Sequence, residues 1–257
     1  MFCQEKVSCL CITYSRVNLL EEAIECFLRQ TYKGPKELII INDCDDQILH
    51  YDHPEVFILN SKNRFRTIGE KRNTSIALST GDYFMHWDDD DIYLPHRIDF
   101  CMNKLINNNL DYYKLNESFL YSMSNGISRS TCNQFYGCSI FSRAASIKTT
   151  GHGFVNSGQD SFIEAQFLKL FKDKKINMLV ENTRTISNLT MKDLYYIYRW
   201  GGVSCHLSVT GKDIDPLNTI KKQRKASEQN RKVGDIQLVP HWDKDYISIV
   251  NTFIGGN

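Results

Sequence analysis

Residues 83–97 read YFMHWDDDDIYLPHR. An apolar, aromatic run ends in four consecutive aspartates, Asp88 to Asp91, and a Leu-Pro pair follows closely. Two unit charges 4 Å apart repel by about 4 kcal/mol at an effective dielectric near 20, so such a cluster either hangs in water or meets a cation. The flanks favour the cation. The acids leave a segment that reads as a buried strand and precede a proline, which places them on a short, stiff loop. A hard divalent cation such as Mg2+ or Mn2+ takes one or two carboxylates and fills its shell with phosphate oxygens.

Upstream of this stretch, strand and helix patterns alternate. VSCLCI (7–12) is a short apolar run that suits a buried strand. NLLEEAIECFLRQT (18–31) sets Leu19, Leu20, Ala23, Ile24, Phe27 and Leu28 on one helical stripe. ELIIIND and VFILNS read as two further strands, and Thr67 to Leu78 as a helix with Ile68, Ile76 and Leu78 inward. Strands apolar throughout, alternating with helices, imply a mostly parallel sheet covered on both faces. Ligands of such sheets gather at the carboxyl ends of the strands. Thr13, Asp43 and the aspartate run all lie at such ends.

Downstream, PHRIDFCMNKLINN suits a helix, followed by strand-like YYKLNESFLYSM and QFYGCSIFS, a helix from about Gln159 to Phe171, and strand-like INMLVE and YYIYRW. The basic stretch KKQRK and the short apolar segment YISIVNTFI close the chain. The expected organisation is a nucleotide-binding half over 1–100, a second half of the same domain over 101–210, and a C-terminal extension over 211–257.

The 257 residues carry a formal net charge of +1, which gives no footprint for nucleic acid. No apolar run approaches the ~20 residues of a membrane helix, and the start of the chain lacks the layout of a signal peptide. The chain therefore reads as cytoplasmic, with peripheral attachment to a membrane left open. Nine cysteines without a C-x-x-C pair argue against a zinc site and fit reduced, packed thiols. The glycosylation triplets at Asn73, Asn116 and Asn188 read as chance.

VSCLCITYSR, ELIIINDCDD and GEKRNTSIALSTGDYFMHWDDDDIYLPHRI together resemble the family 2 glycosyltransferases of the GT-A fold. That family opens with a strand ending in a Thr-Tyr-type loop, and its second strand ends in two acids. It continues with a G-x-x-x-A-R-N-x-x-I-like helix, G-[DE]-Y, and a D-x-D ahead of a Leu-Pro-x-Arg helix start. The resemblance is dense over residues 6–100 and weaker to about 208. Departures are Ile12 for Pro, Ser15 for Asn, Asn42 for the first acid of the second strand, and Lys71 for Ala. Two D-x-D registers fit, 88–90 and 89–91; the IYLPHR that follows favours Asp90 as the last acid.

The resemblance implies a Rossmann-like α/β fold and an inverting, metal-assisted transfer from a nucleoside-diphosphate-sugar, a UDP-sugar first, to the hydroxyl of a glycan or other acceptor. It implies that Thr13 and Asp43 face the nucleobase, that Asn63 and Arg72 hold the nucleotide, and that Asp88 or Asp89 touches ribose or sugar. Asp90 would bind Mn2+ or Mg2+, and His206 would reach the metal or diphosphate. The catalytic base would be Asp160, with Glu164 one turn further on as its substitute. Read singly, Thr13 and Asn63 suit ordinary turns, Arg72 a solvated helix, and Asp160 a helix cap. Two other classes compete: a sugar-phosphate nucleotidyltransferase and a non-catalytic nucleotide-binding scaffold. The first wants a glycine-rich loop after its first strand, where this chain has TYSRVN.

Overall fold

The computed structural model describes residues 5–115, 119–122, 126–129, 136–181, 189–199 and 232–255. His206 and the KKQRK stretch lie outside them. The first strands and helices follow the apolar pattern: β1 (Val7–Thr13), α1 (Val17–Leu28), β2 (Lys36–Asn42), β3 (Gln47–His50), β4 (Val56–Asn60), α2 (Ile68–Leu78), β5 (Tyr83–His86) and β6 (Ile92–Tyr93). Next come α3 (Arg97–Asn107), β7 (Tyr112–Leu115), β8 (Phe119–Ser122), β9 (Gly126–Arg129), β10 (Ile140–Ser142), α4 (Arg143–Ser146) and α5 (Gln159–Lys172). β11 (Met178–Glu181), β12 (Tyr196–Arg199), β13 (Gly234–Gln237) and α6 (Tyr246–Gly255) complete the described elements.

Seven strands form the main sheet in the order β11-β7-β10-β5-β1-β2-β4. All neighbours run parallel except β10, which is antiparallel to β5 and β7. The chain is thus an α/β protein with a largely parallel central sheet. The register pairs Thr13 with Asn42 and Leu10 with His86. One sheet edge therefore gathers the residues that leave β1, β2 and β5. A second sheet, β6-β12-β8-β9, stands beside this edge.

Both faces of the main sheet are covered. Leu20, Ile24 and Phe27 of α1 pack with Met85, Trp87, Tyr93 and Ile98 on one side. Ile163, Phe167 and Leu170 of α5 pack with Leu10, Ile39, Phe84 and Phe141 on the other. Burying one such side chain stabilises by about 1.5–3 kcal/mol. The fully buried Arg97 lies over the Tyr93 ring and donates to the carbonyls of His86 (2.9 Å) and Gly137 (2.6 Å). It thereby fixes how β5 delivers the aspartates.

One expectation needs correction. Ile68 and Leu78 of α2 face outward, and Lys71, Arg72 and Ser75 are buried instead. An ion-paired cation can occupy an inner face that apolar pattern reading reserves for aliphatic residues. The YISIVNTFI segment is the helix α6, which packs Tyr246 and Val250 inward. Ahead of it, β13 pairs in parallel with β3. Two acids of α1 are buried by partners from late in the chain. Glu21 accepts from the Val239 N–H (2.9 Å), and Glu22 from Arg199 Nη1 (3.0 Å) and the Tyr246 hydroxyl.

Candidate active site

The four aspartates divide by partner. Asp91 is buried: its carboxylate accepts from the Tyr196 hydroxyl (2.7 Å) and the Arg199 N–H (3.1 Å), which ties the loop to β12. Asp89 is buried against Arg16 Nη2, and Arg16 Nη1 reaches Asp90 (2.5 Å). Asp88 accepts from Arg72 Nη2 at 2.7 Å. The loop's repulsion is therefore offset in part by two arginines of the chain itself. Burial holds the Asp89 carboxyl up to about 6 against the pull of Arg16, and Asp90's charge adds to the rise. Burial also pushes on Asp90, but there the Arg16 guanidinium prevails and the carboxyl lies below its ordinary range. Arg16 escaped the sequence reading because a single arginine in a loop has no periodicity to betray it.

At the other end of the strand edge, Thr13 and Asp43 are both buried and joined through Lys71. Lys71 Nζ donates to the Thr13 carbonyl (2.6 Å) and pairs with Asp43 Oδ1. Asp43 Oδ2 accepts from the Phe65 N–H at 3.1 Å. Lys71 stands where the resembled motif has alanine, so motif reading assigns it no role. Asn63 lies exposed on the loop that carries Phe65, its backbone bonded to Ser61. Nothing among the described contacts brings its side chain to Asp43.

A second wall is built by the loop 151–158. Asn73 of α2 clamps it, donating to the His152 carbonyl (3.0 Å) and accepting from the His152 N–H (2.7 Å). Gly69 allows the approach, since a Cβ there would lie 1.7 Å from the Gly153 carbonyl oxygen. The loop ends at Gly158, which starts α5 with φ 74° and so favours glycine. Asp160 then sits in the first turn of α5. Its carboxylate accepts from the Ser161 N–H (2.8 Å) and its charge acts on Arg72, the partner of Asp88. Glu164 behaves differently: Lys114 Nζ (2.5 Å) and the Tyr112 hydroxyl (3.3 Å) hold it. Behind Arg72, His86 Nδ1 accepts from Arg72 Nη1 at 2.9 Å, and the His86 ring lies near those of Tyr136 and His152. Burial and the Arg72 charge hold His86 well below the ordinary histidine range and His152 down to about 3.

The acids of the loop fit a divalent cation on their chemistry. Asp88 and Asp90 keep 24% and 16% of their side-chain surface exposed, and Asp89 Oδ2 is a buried oxygen without a hydrogen-bond partner. They do not form a three-ligand cage by themselves, so a cation there draws its other ligands from phosphate oxygens or water. Among the described residues, the one cluster with three ligand atoms in reach is Cys44, Asp45 and Asp46, just past β2.

Comparison with known proteins converges on one group. The model of Glycosyl transferase family 2 matches residues 8–161. An uncharacterized glycosyltransferase of Bacillus subtilis, YwdF, is 31% identical over 98 residues, 37% of this chain and 36% of that protein. WfgD of Escherichia coli, a UDP-Glc:alpha-D-GlcNAc-diphosphoundecaprenol beta-1,3-glucosyltransferase, is 22% identical over 41% of this chain and 43% of its own. The alignments thus span less than half of either relative. Among solved structures, S. aureus TarS superposes with a TM-score of 0.56 at 13% identity, over 76% of this chain and 36% of that one. TarS 1–349 in complex with UDP-GlcNAc gives 0.56 at 11% identity, over 88% and 73%. The TarS superpositions show the same GT-A fold, and with the family match over residues 8–161 the chain belongs to glycosyl transferase family 2.

Proposed function

We propose that the protein transfers a sugar from a nucleoside-diphosphate-sugar, in first place a UDP-sugar, to an acceptor hydroxyl with inversion at the anomeric carbon. The observation that carries this is the placement of Asp160. Its carboxylate has no side-chain partner among the described residues, yet it lies close enough to Arg72 to act on the residue that holds Asp88. The UDP donor draws support from the WfgD name and from the TarS complex with UDP-GlcNAc.

Thr13 and Asp43 form the nucleobase end, with Lys71 fixing the Asp43 carboxylate. Asp88 and Asp89 meet the ribose or the sugar, and Arg72 orients Asp88. Asn63, on its exposed loop, is left to close over the nucleotide. Asp90 would hold Mn2+ or Mg2+, and His206, outside the described residues, would be a further ligand; the ion when bound would supply positive charge against the departing diphosphate. Asp160 takes the proton of the acceptor hydroxyl as its oxygen attacks the anomeric carbon from the face opposite the diphosphate. General-base assistance of this kind is worth about 10²–10⁴ in rate.

Calorimetric titration with UDP tests the donor half. Binding should strengthen when Mn2+ is added, and Asp90→Asn should erase that gain while leaving metal-free binding unchanged. Failure of UDP and other nucleoside diphosphates to bind, with or without Mn2+, would overturn the reading.

A further inference from the structure

The loop that leads to Asp160 carries apolar residues that a folded chain normally hides. Phe154 is 70% exposed and Phe162 49%, and Val155 and Ile68 are also exposed. The backbone joins them into one patch. Gly69 N–H donates to the Val155 carbonyl, the Ile68 N–H donates to Asn156, and Gly153 lies against the Phe162 ring. Singly exposed apolar residues are unremarkable on a protein surface, but a contiguous group with a polar rim marks a contact surface.

The rim identifies the partner. The loop from β4 to α2, which runs directly into Ile68, exposes Lys62, Arg64 and Arg66. Among the described residues none of the three has a carboxylate ion-pair partner, and Arg64 lies over the Tyr14 ring. Aromatic and aliphatic tips beside unpaired cations are the combination that seats a protein in an anionic lipid interface, the apolar groups entering the acyl boundary and the cations meeting headgroups. A protein partner would be met as well by an uncharged rim. Among the described residues no helix is long and apolar enough to cross a membrane, so attachment through these elements is at the surface.

We propose that Ile68, Phe154, Val155 and Phe162, with Lys62 and Arg66 at their edge, dock the protein on an anionic bilayer and bring Asp160 to a lipid-anchored acceptor. This rests on the transferase reading only for the acceptor; the docking stands on the surface alone. Asp160 and Phe162 both belong to the start of α5, and the loop that carries Phe154 leads into it, so the patch and the base share one end of that helix.

Co-flotation of the full chain with vesicles tests it. Phosphatidylglycerol vesicles should carry the protein, phosphatidylcholine vesicles should not, and salt should weaken the binding. The double variant Phe154→Ser, Phe162→Ser should lower the partition coefficient about tenfold or more, with UDP affinity and melting temperature unchanged. Three results would overturn the docking: no flotation of the wild-type protein, equal flotation of the variant, or loss in the variant of self-association seen by sedimentation equilibrium in place of vesicle binding. Flotation without UDP binding would leave the docking intact and sink the transferase reading; UDP binding without flotation would do the reverse.

Discussion

The acids at 88–91 and the acid at 160 solve opposite problems. The four aspartates are held by the chain's own groups: Arg16 for Asp89 and Asp90, Arg72 for Asp88, Tyr196 and Arg199 for Asp91. Asp160 rests on one backbone N–H at a glycine-rich turn. The first region is a prearranged electrostatic frame, in which losing one group strands another in a dry place. The second is a side chain whose carboxylate holds nothing together. A substitution in the frame should be felt in stability as well as function, and a substitution at Asp160 in function alone.

The sharpest break of that contrast is Asp160→Asn. It keeps the shape and removes the proton acceptor, so transfer should fall by about 10²–10⁴. UDP affinity and the urea midpoint should stay at wild-type values, and a stability loss would show that Asp160 belongs to the frame. A second buried pair on the same sheet edge extends the contrast: Lys71→Met leaves the buried Asp43 carboxylate without its cation. Breaking a buried pair from one side costs about 3–5 kcal/mol, to be read by urea unfolding; a loss under about 1 kcal/mol would mean that water reaches Asp43.

Acid should also separate the two regions. His86 and His152 are buried neutral behind Arg72, with folded-state values below that of an ordinary histidine, near 6.5. The stability this confers is complete above about pH 6.5. It is lost as pH falls, because the unfolded chain takes up protons that the folded one refuses. His152, held down to about 3, should cost about 2 kcal/mol at pH 5, at about 1.4 kcal/mol per pH unit, and His86 acts in the same direction. His152→Gln should flatten the fall in urea midpoint between pH 7 and 5, and an unchanged slope would place His152 in contact with water. The smallest effect on turnover is expected from Glu164→Gln, since amide and carboxylate both accept from Lys114. The buried Lys114 ammonium loses its counter-charge, so stability should drop by about 1.5–3 kcal/mol, while turnover should stay within severalfold; a collapse of turnover would move the base from Asp160 to Glu164.

What the sequence disclosed follows from where its signals are local. The apolar runs 7–12 and 83–87 declared buried parallel strands, and the order of motifs placed Thr13, Asp43 and Asp88 on one sheet edge. Partnerships over long sequence distances stayed hidden. Arg16 meets Asp89 and Asp90 across more than 70 residues, and β3 finds β13 across more than 180. The short β3 strand is four residues long, too short for its alternation to stand out from a loop. Lys71 and Arg72 hid the buried face of α2, because a charge buried by pairing resembles a charge turned to water until its partner is known. The exposure of Phe154 was equally illegible, since a Gly-Phe-Val tripeptide in a loop reads the same buried or bare.

The central claim is a single displacement, with the diphosphate leaving on the Asp90 side and the acceptor activated by Asp160 on the other. Proton NMR of the first product formed from an α-linked UDP-sugar reads it directly. A β-linkage is the predicted result; an α-linkage would contradict the single displacement and remove Asp160 from its role as base.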